Sequence, residues 1–240
     1  MANLIPVIIW DGKNANLLVK TLKSIDYLPE AYLYTSMDYE DLHKLLSRNF
    51  LSNTNLQIST TGKPGIGRMK NRAILDLSKE HPDDYMMFLE AGDEIIGSPD
   101  VTGDLIGDPV FFCDDVGEYG PLWKISEDCL PLTTLGIIFR ATWVLSKGLE
   151  FEDTEFSFIR SLYQELPEKV WSVDMNVEPG RERNILEEIK DIIEYKDIFE
   201  TDEDYYIVRH TLTRMVLDGI VSGTEGIEGY IQYAYTDKRI

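Results

Sequence analysis

The stretch "DYMMFLEAGDEI", residues 84–95, carries five apolar residues, Tyr85 to Leu89, straight into Glu90, Asp93 and Glu94 spaced around Gly92. The apolar run reads as a buried strand, and its acidic end has two readings. One is a polar strand end with a tight glycine turn. The other is a set of carboxylates that holds a metal ion at the edge of a sheet.

Three earlier apolar segments each lead into a helix-like one. Residues 4–10, 31–36 ("AYLYTS") and 56–60 ("LQIST") read as strands. Residues 15–25 ("ANLLVKTLKSI") and 39–51 ("YEDLHKLLSRNFL") place apolar side chains near helical spacing. A glycine-rich turn, Gly62 to Gly67, opens a third helix over residues 68–79. The order β-α-β-α-β-α-β predicts an α/β fold, a mostly parallel sheet flanked by helices. Such sheets bind ligands beyond the carboxyl ends of their strands. Trp10-Asp11-Gly12, the glycine turn, and Glu90 with Asp93 all fall at that edge.

Beyond residue 97 the pattern loosens. "DPVFFCDD" (108–115), "LGIIFR" (135–140) and "KVWSV" (169–173) read as strands, and "DTEFSFIRSLYQEL" (153–166) as a helix. "ERNILEEIKDIIEY" and "DYYIVRHTLTRMVLDGI" read as two further helices. The expected organisation is one α/β domain over residues 1–178 and a helical C-terminal extension over 179–240 packed on it.

With 43% hydrophobic and 28% charged residues and no repeat, the composition is that of an ordinary globular protein. The net charge of -20 argues against non-specific nucleic-acid binding, which needs a basic surface. Against that average, "GKPGIGRMKNRA" (62–73) holds Lys63, Arg68, Lys70 and Arg72 with no acid. This patch fits a small anionic ligand, and equally a solvated helix face. Cys113 and Cys129 have no metal-ligand spacing and read as idle thiols in a reducing compartment. The apolar run at 4–10 has no basic residues before it and is far shorter than the roughly 20 residues of a membrane span. It reads as a first strand, with no membrane segment and a cytoplasmic location expected.

Four stretches together resemble family 2 of the GT-A-fold glycosyltransferases, a Rossmann-like nucleotide-diphospho-sugar transferase fold. "LLVKTLKSI" is similar to the family's first helix. "GIGRMKNRAILDLSKE" resembles its glycine-x-x-x-x-Arg-Asn helix start, with Lys70 in the arginine's place and Asn71 matching. "MMFLEAGDEI" looks like the strand into the Asp-x-Asp motif, and "LEFEDTEFSFIRSL" like the Glu-Asp motif before a helix. Each is short and tolerant, but all four stand in the family's order and spacing from residue 4 to about residue 175.

The resemblance implies an inverting glycosyltransferase that moves a sugar from a nucleotide-diphosphate sugar, most commonly a UDP-sugar, to an acceptor hydroxyl. Such transfer builds oxocarbenium character at the anomeric carbon and negative charge on the departing diphosphate. A divalent ion stabilises that charge, and a carboxylate takes the acceptor's proton. By resemblance, Mn²⁺ or Mg²⁺ belongs at Glu90 to Asp93 and the base is Asp153, with Glu152 and Glu155 as competing acids. The family's second aspartate aligns with Gly92, which has no ligand to offer. Either Asp93 takes the metal with Glu90 on the ribose or on a metal-bound water, or the site binds metal weakly or is degenerate.

Around this centre, Asp38 resembles the acid that contacts the base or ribose, and reads as well as a cap for the helix at 39. Trp10, Asp11 and Asn71 join the nucleotide-sugar set, with a structural role as the alternative for Asn71; Arg68 and Lys70 face the diphosphate, and His210 is a candidate third metal ligand. Arg181 and Arg183 either close over phosphate or lie in a solvated loop. Two other functions compete. A sugar-phosphate nucleotidyltransferase shares the architecture but carries a long glycine-rich loop after its first strand, where this chain has "WDGKNAN". A non-catalytic binding or scaffold module would account for Gly92.

Overall fold

Strand β1 (Leu4–Trp10) is buried at all seven positions, as a continuous apolar run through the middle of a covered sheet should be. The computed structural model describes residues 2–49, 54–61, 65–98, 105, 107–116, 134–151, 155–167 and 169–180. The first half alternates as expected through α1 (Ala15–Ser24), β2 (Glu30–Thr35), α2 (Tyr39–Asn49), β3 (Asn55–Thr60), α3 (Ile66–Glu80) and β4 (Tyr85–Glu90). The second half holds β5 (Glu94–Ile96), β6 (Val110–Val116), β7 (Ile137–Phe139), α4 (Ala141–Ser146), α5 (Glu155–Gln164) and β8 (Trp171–Glu178). The two helices expected after Arg181, and with them the proposed extension, lie outside the described residues.

These strands form one sheet in the order β3-β2-β1-β4-β7-β6-β8-β5. Its first four strands are parallel. Beyond β4 the sheet is mixed: β7 runs antiparallel to both β4 and β6, β8 parallel to β6, and β5 antiparallel to β8. The chain steps outward from β1 to β2 and β3, then returns to lay β4 on the other flank of β1. The strand order therefore reverses between β1 and β4, the place where open α/β sheets leave a crevice. Register brings the ends level, since Trp10 pairs with Thr35 and Ile9 with Glu90.

Side chains fix α3 against this sheet. Tyr34 on β2 donates its hydroxyl to Asp76 at 3.1 Å, and Tyr32 donates to Glu80 at 2.8 Å. Below the sheet edge, Phe88, Phe139, Phe151 and Phe158 form a continuous aromatic group, with Phe151 and Phe158 stacked at 3.9 Å. Such pairs contribute about 0.5–1.5 kcal/mol each beyond the area they bury. Cys113 is buried in the same core, and burial pushes its thiol up. Cys129 lies outside the described residues.

Two elements depart from the sequence reading. β8 runs on to Glu178 instead of stopping at Val173, with Val173, Met175 and Val177 buried between exposed Asp174 and Asn176. Those polar residues look like the end of a strand in sequence, and are its outward-facing half in the fold. β5 and α4 were not expected, being three and six residues long. Elements that short carry no full period to detect.

The buried phenols generate a pH prediction. Burial and then the Asp76 charge raise Tyr34, and burial and then the Glu80 bond raise Tyr32, far above the ordinary phenol range. Below about pH 10 both states keep these protons and the contribution is complete. Above it the unfolded chain loses them first, so stability must fall as pH rises. Urea midpoints at about pH 8 and about pH 11 should show that fall, and it should be smaller in Tyr34→Phe.

Candidate functional site

The turn after β4 is fastened from three sides. Asp93 is buried, and its carboxylate accepts two backbone bonds, from the Glu90 amide at 2.7 Å and the Gly180 amide at 2.9 Å. Its own amide donates to the Glu90 carbonyl at 2.9 Å, which closes the turn. From α1, the fully buried Thr21 hydroxyl accepts the Gly92 amide at 2.8 Å and donates to the Glu90 carbonyl at 3.4 Å. One helical turn later, the Ser24 hydroxyl accepts the Ile95 amide at 3.1 Å. The Thr-Leu-Lys-Ser-Ile run on α1 thus has a local purpose: hydroxyls three apart share a face and serve the backbone of the facing turn. Neither Thr21 nor Ser24 was singled out from sequence, although both stand in a stretch that carried the family resemblance.

Gly92 has a backbone reason as well. It sits at φ +115, and a Cβ there would lie 3.0 Å from the Gly180 carbonyl oxygen. A Cβ on Gly180 would overlap the Gly92 backbone outright. The segment leaving β8 crosses directly over the turn, and two facing glycines permit the crossing. The space that a ligand side chain at position 92 would enter is filled by the chain itself.

Glu90 faces a buried ammonium. Lys70 on α3 is 1% exposed, and its Nζ lies 3.7 Å from Glu90 Oε1 and donates to Thr134 Oγ1 at 3.2 Å. The ammonium also stands 5.4 Å and 5.3 Å from the Phe88 and Phe151 ring centroids. A buried cation needs such partners, because desolvation otherwise costs several kcal/mol. The next residue, Asn71, clamps the Phe151 backbone, donating to its carbonyl and accepting from its amide, each at 2.8 Å. Lys70 was expected at the diphosphate, and Asn71 either at the nucleotide sugar or in a structural role. The structure buries Lys70 beside Glu90 and spends the Asn71 amide on the segment that leads to residue 152, which is the structural role.

The remaining candidates are dispersed. Trp10 is buried, and its indole donates to the Lys13 carbonyl. Asp11 accepts the Lys13 amide at 2.9 Å and pairs with the Lys13 ammonium at 3.2 Å, at the mouth of the β1–β4 crevice. Asp38 caps α2, accepting the Glu40 amide at 2.9 Å, as the capping alternative required. Arg68 is exposed on the first turn of α3. Glu152, Asp153, Arg181, Arg183, His210 and Lys63 lie outside the described residues.

Mn²⁺ and Mg²⁺ take several oxygen ligands in compact geometry. Among the described residues no three His, Cys, Asp or Glu side chains come together in a group that could hold a metal ion. At the turn, Asp93 gives both oxygens to amides, Glu90 faces an ammonium, and Glu94 pairs with Lys20 at 2.6 Å. The described residues of this turn therefore do not fit a divalent ion. Nor, among those residues, is any helix long and apolar enough to cross a membrane.

No protein-family model matches the chain, and no curated protein does. Among solved structures it is similar to 4-diphosphocytidyl-2C-methyl-D-erythritol synthase from Anaerococcus prevotii, at 14% identity and a TM-score of 0.45 over 88% of this chain and 98% of that one. It is also similar to a protein from Desulfovibrio desulfuricans described as a nucleotide-diphospho-sugar transferase, at 9% and 0.45 over 90% and 98%. A third is the glycosyltransferase GlyE of Streptococcus pneumoniae, at 9% and 0.39 over 87% of this chain and 43% of that one. Likeness this loose leaves reaction, donor and acceptor open.

The crossing of the two glycines makes a direct prediction. Gly180→Ala should cost about 3 kcal/mol or more, because the new methyl meets backbone that cannot yield cheaply. Gly97→Ala, at φ +81 but with open space around it, should lose only about 1 kcal/mol of backbone strain. Urea denaturation of the two variants measures the difference, and equal losses would contradict the crossing.

Proposed function

We propose that the chain is a glycosyltransferase that takes a sugar from a nucleotide-diphosphate donor, a UDP-sugar by family preference, and passes it to an acceptor hydroxyl with inversion. The observation that supports this reading most is the reversal of strand order between β1 and β4, with Asp11 and Glu90 at the carboxyl ends of those two strands. A nucleotide laid across that crevice meets both strand ends. Asp38 and the opening of α3 follow β2 and β3, and so lie along the same edge.

In this reading Arg68, exposed at the start of α3, attracts the diphosphate. Glu90 orients the ribose or sugar hydroxyls as a hydrogen-bond acceptor, and Asp11 serves the nucleoside side. Asp153 is the base that takes the acceptor's proton, with Glu152 beside it. Asn71 acts one step back, because its two hydrogen bonds to the Phe151 backbone fix the chain two residues before Asp153. A general base gives typically 10²–10⁴-fold in rate, and only when it is held within hydrogen-bond reach of the proton. Asn71 is thus a positioning residue.

Two coupled assays separate this reading from its rivals. The purified chain is incubated with UDP-, GDP- and dTDP-sugars and a panel of sugar and peptide hydroxyl acceptors, with water as the default acceptor, and release of nucleoside diphosphate is followed. In parallel it receives nucleoside triphosphates with sugar phosphates, and pyrophosphate is followed. The expected result is nucleoside diphosphate release from one donor class, lost by about 10²-fold or more in Asp153→Asn. The same donor at a hundred times its Kd should raise Tm by about 5–10 °C. Pyrophosphate release would make the chain a nucleotidyltransferase. A melting shift without turnover would make it a binding module.

A further inference from the structure

A sugar-nucleotide transferase has to answer the charge of a departing diphosphate, and the turn after β4 is where a divalent ion would be expected to help. Three features stand against an ion there. Each oxygen of buried Asp93 already accepts one amide, from Glu90 and from Gly180, so this carboxylate is committed to holding backbone. Position 92 has no side chain, and the Gly180 backbone occupies the space where one would project. Glu90, the remaining acid, already lies 3.7 Å from a cation that the fold cannot move, since Lys70 is 1% exposed and set between Phe88 and Phe151.

We infer that Lys70 is the internal counter-ion of Glu90 in the position a divalent metal would take, so that ligand binding at this edge needs no divalent ion. The chemistry is that of substitution. A carboxylate at the end of a strand needs positive charge nearby, and either a metal or an ammonium can supply it. An ammonium brings three N–H donors and no demand for further carboxylates. Here one donor goes to Thr134 Oγ1, the ammonium lies over two aromatic rings, and the neighbouring carboxylate is released to hold backbone. A divalent ion on Glu90 Oε1, at a bond length of about 2.1 Å, would lie within about 6 Å of the Lys70 ammonium in a poorly solvated place. The two cations would compete for one carboxylate. Arg68, outside on the same helix, remains the exposed cation for an incoming phosphate.

This inference rests on the sugar-nucleotide reading for its ligand, but its first test does not. Mn²⁺ alone is titrated into the full-length protein, and the free ion is followed by its electron paramagnetic resonance signal. The expected isotherm is the same for wild type and Glu90→Gln. One equivalent bound at about 10 µM or tighter in wild type and lost in Glu90→Gln would overturn the inference.

A second test reads the pair itself. Lys70→Met should lower Tm, and adding Glu90→Gln should recover about 2–4 °C of that loss by removing the stranded carboxylate. Simply additive losses would contradict the pairing. If Lys70→Met does not fold, the Mn²⁺ titration decides alone. The third test uses UDP, GDP, CDP and dTDP, with EDTA or with Mn²⁺. The expected Kd for the nucleotide that binds agrees within about twofold between the two conditions, and weakening of about tenfold or more in EDTA would overturn the inference. If none binds in either condition, the sugar-nucleotide reading fails, and the Mn²⁺ isotherm still decides whether Glu90 is a metal ligand.

Discussion

The Asp93 carboxylate ties the end of β4 to the segment that leaves β8. It receives one amide from the end of β4 and one from beyond the end of β8, although Gly180 is 87 residues away in the chain. Each bond to a charged acceptor contributes about 1.5–3 kcal/mol, and losing the acceptor would leave two amides without it in a buried turn. The rest of the edge is built on that junction. β5 leaves the turn directly and pairs with β8, Glu94 opposite Glu178, so its register depends on where Gly180 is held. The glycine crossing then follows, because two backbones in contact leave no room for a Cβ on either.

With the turn fixed, the surrounding helices fall into two roles. α1 supplies neutral acceptors, the Thr21 and Ser24 hydroxyls, to amides that the strand ladder leaves over. α3 supplies charge and alignment: Lys70 meets Glu90 from below, and Asn71 holds Phe151 as a strand neighbour would. In a chain of net charge -20, a buried ammonium under an acidic edge lowers its charge without requiring further ligands. Burial between phenyl rings keeps that ammonium from being screened by solvent. The acids at the end of β4 are thus divided between holding backbone, pairing with an internal cation, and bonding to Lys20 at the surface.

Much of this fold is legible in the sequence because its first half is repetitive in kind. Three buried apolar runs and a partly exposed edge strand, separated by amphipathic helices, leave little choice but parallel strands, and the ends of β1 and β4 carry the polar residues that mark the edge. The second half was harder because its signals are short or alternating. β8 hides half its residues as polar, and β5 and α4 are below one clear period. Within the site, Glu90, Lys70 and Asn71 were visible as residues of interest, but their partners were not. Thr134 and Phe151 lie 64 and 80 residues from the side chains they meet, and no local pattern announces such contacts. Gly92 was read as a missing ligand, and only its distant neighbour Gly180 explains it as a crossing point.

Native-state hydrogen exchange at single residues tests the junction most directly. The amides of Glu90 and Gly180 should exchange slowly in the wild type, and both should speed up together in Asp93→Ala while the Gly92 amide, held by Thr21, stays comparatively protected. If Glu90 and Gly180 exchange in the wild type as fast as an open surface turn, Asp93 does not tie the end of β4 to the end of β8, and the account of the edge built on it is wrong.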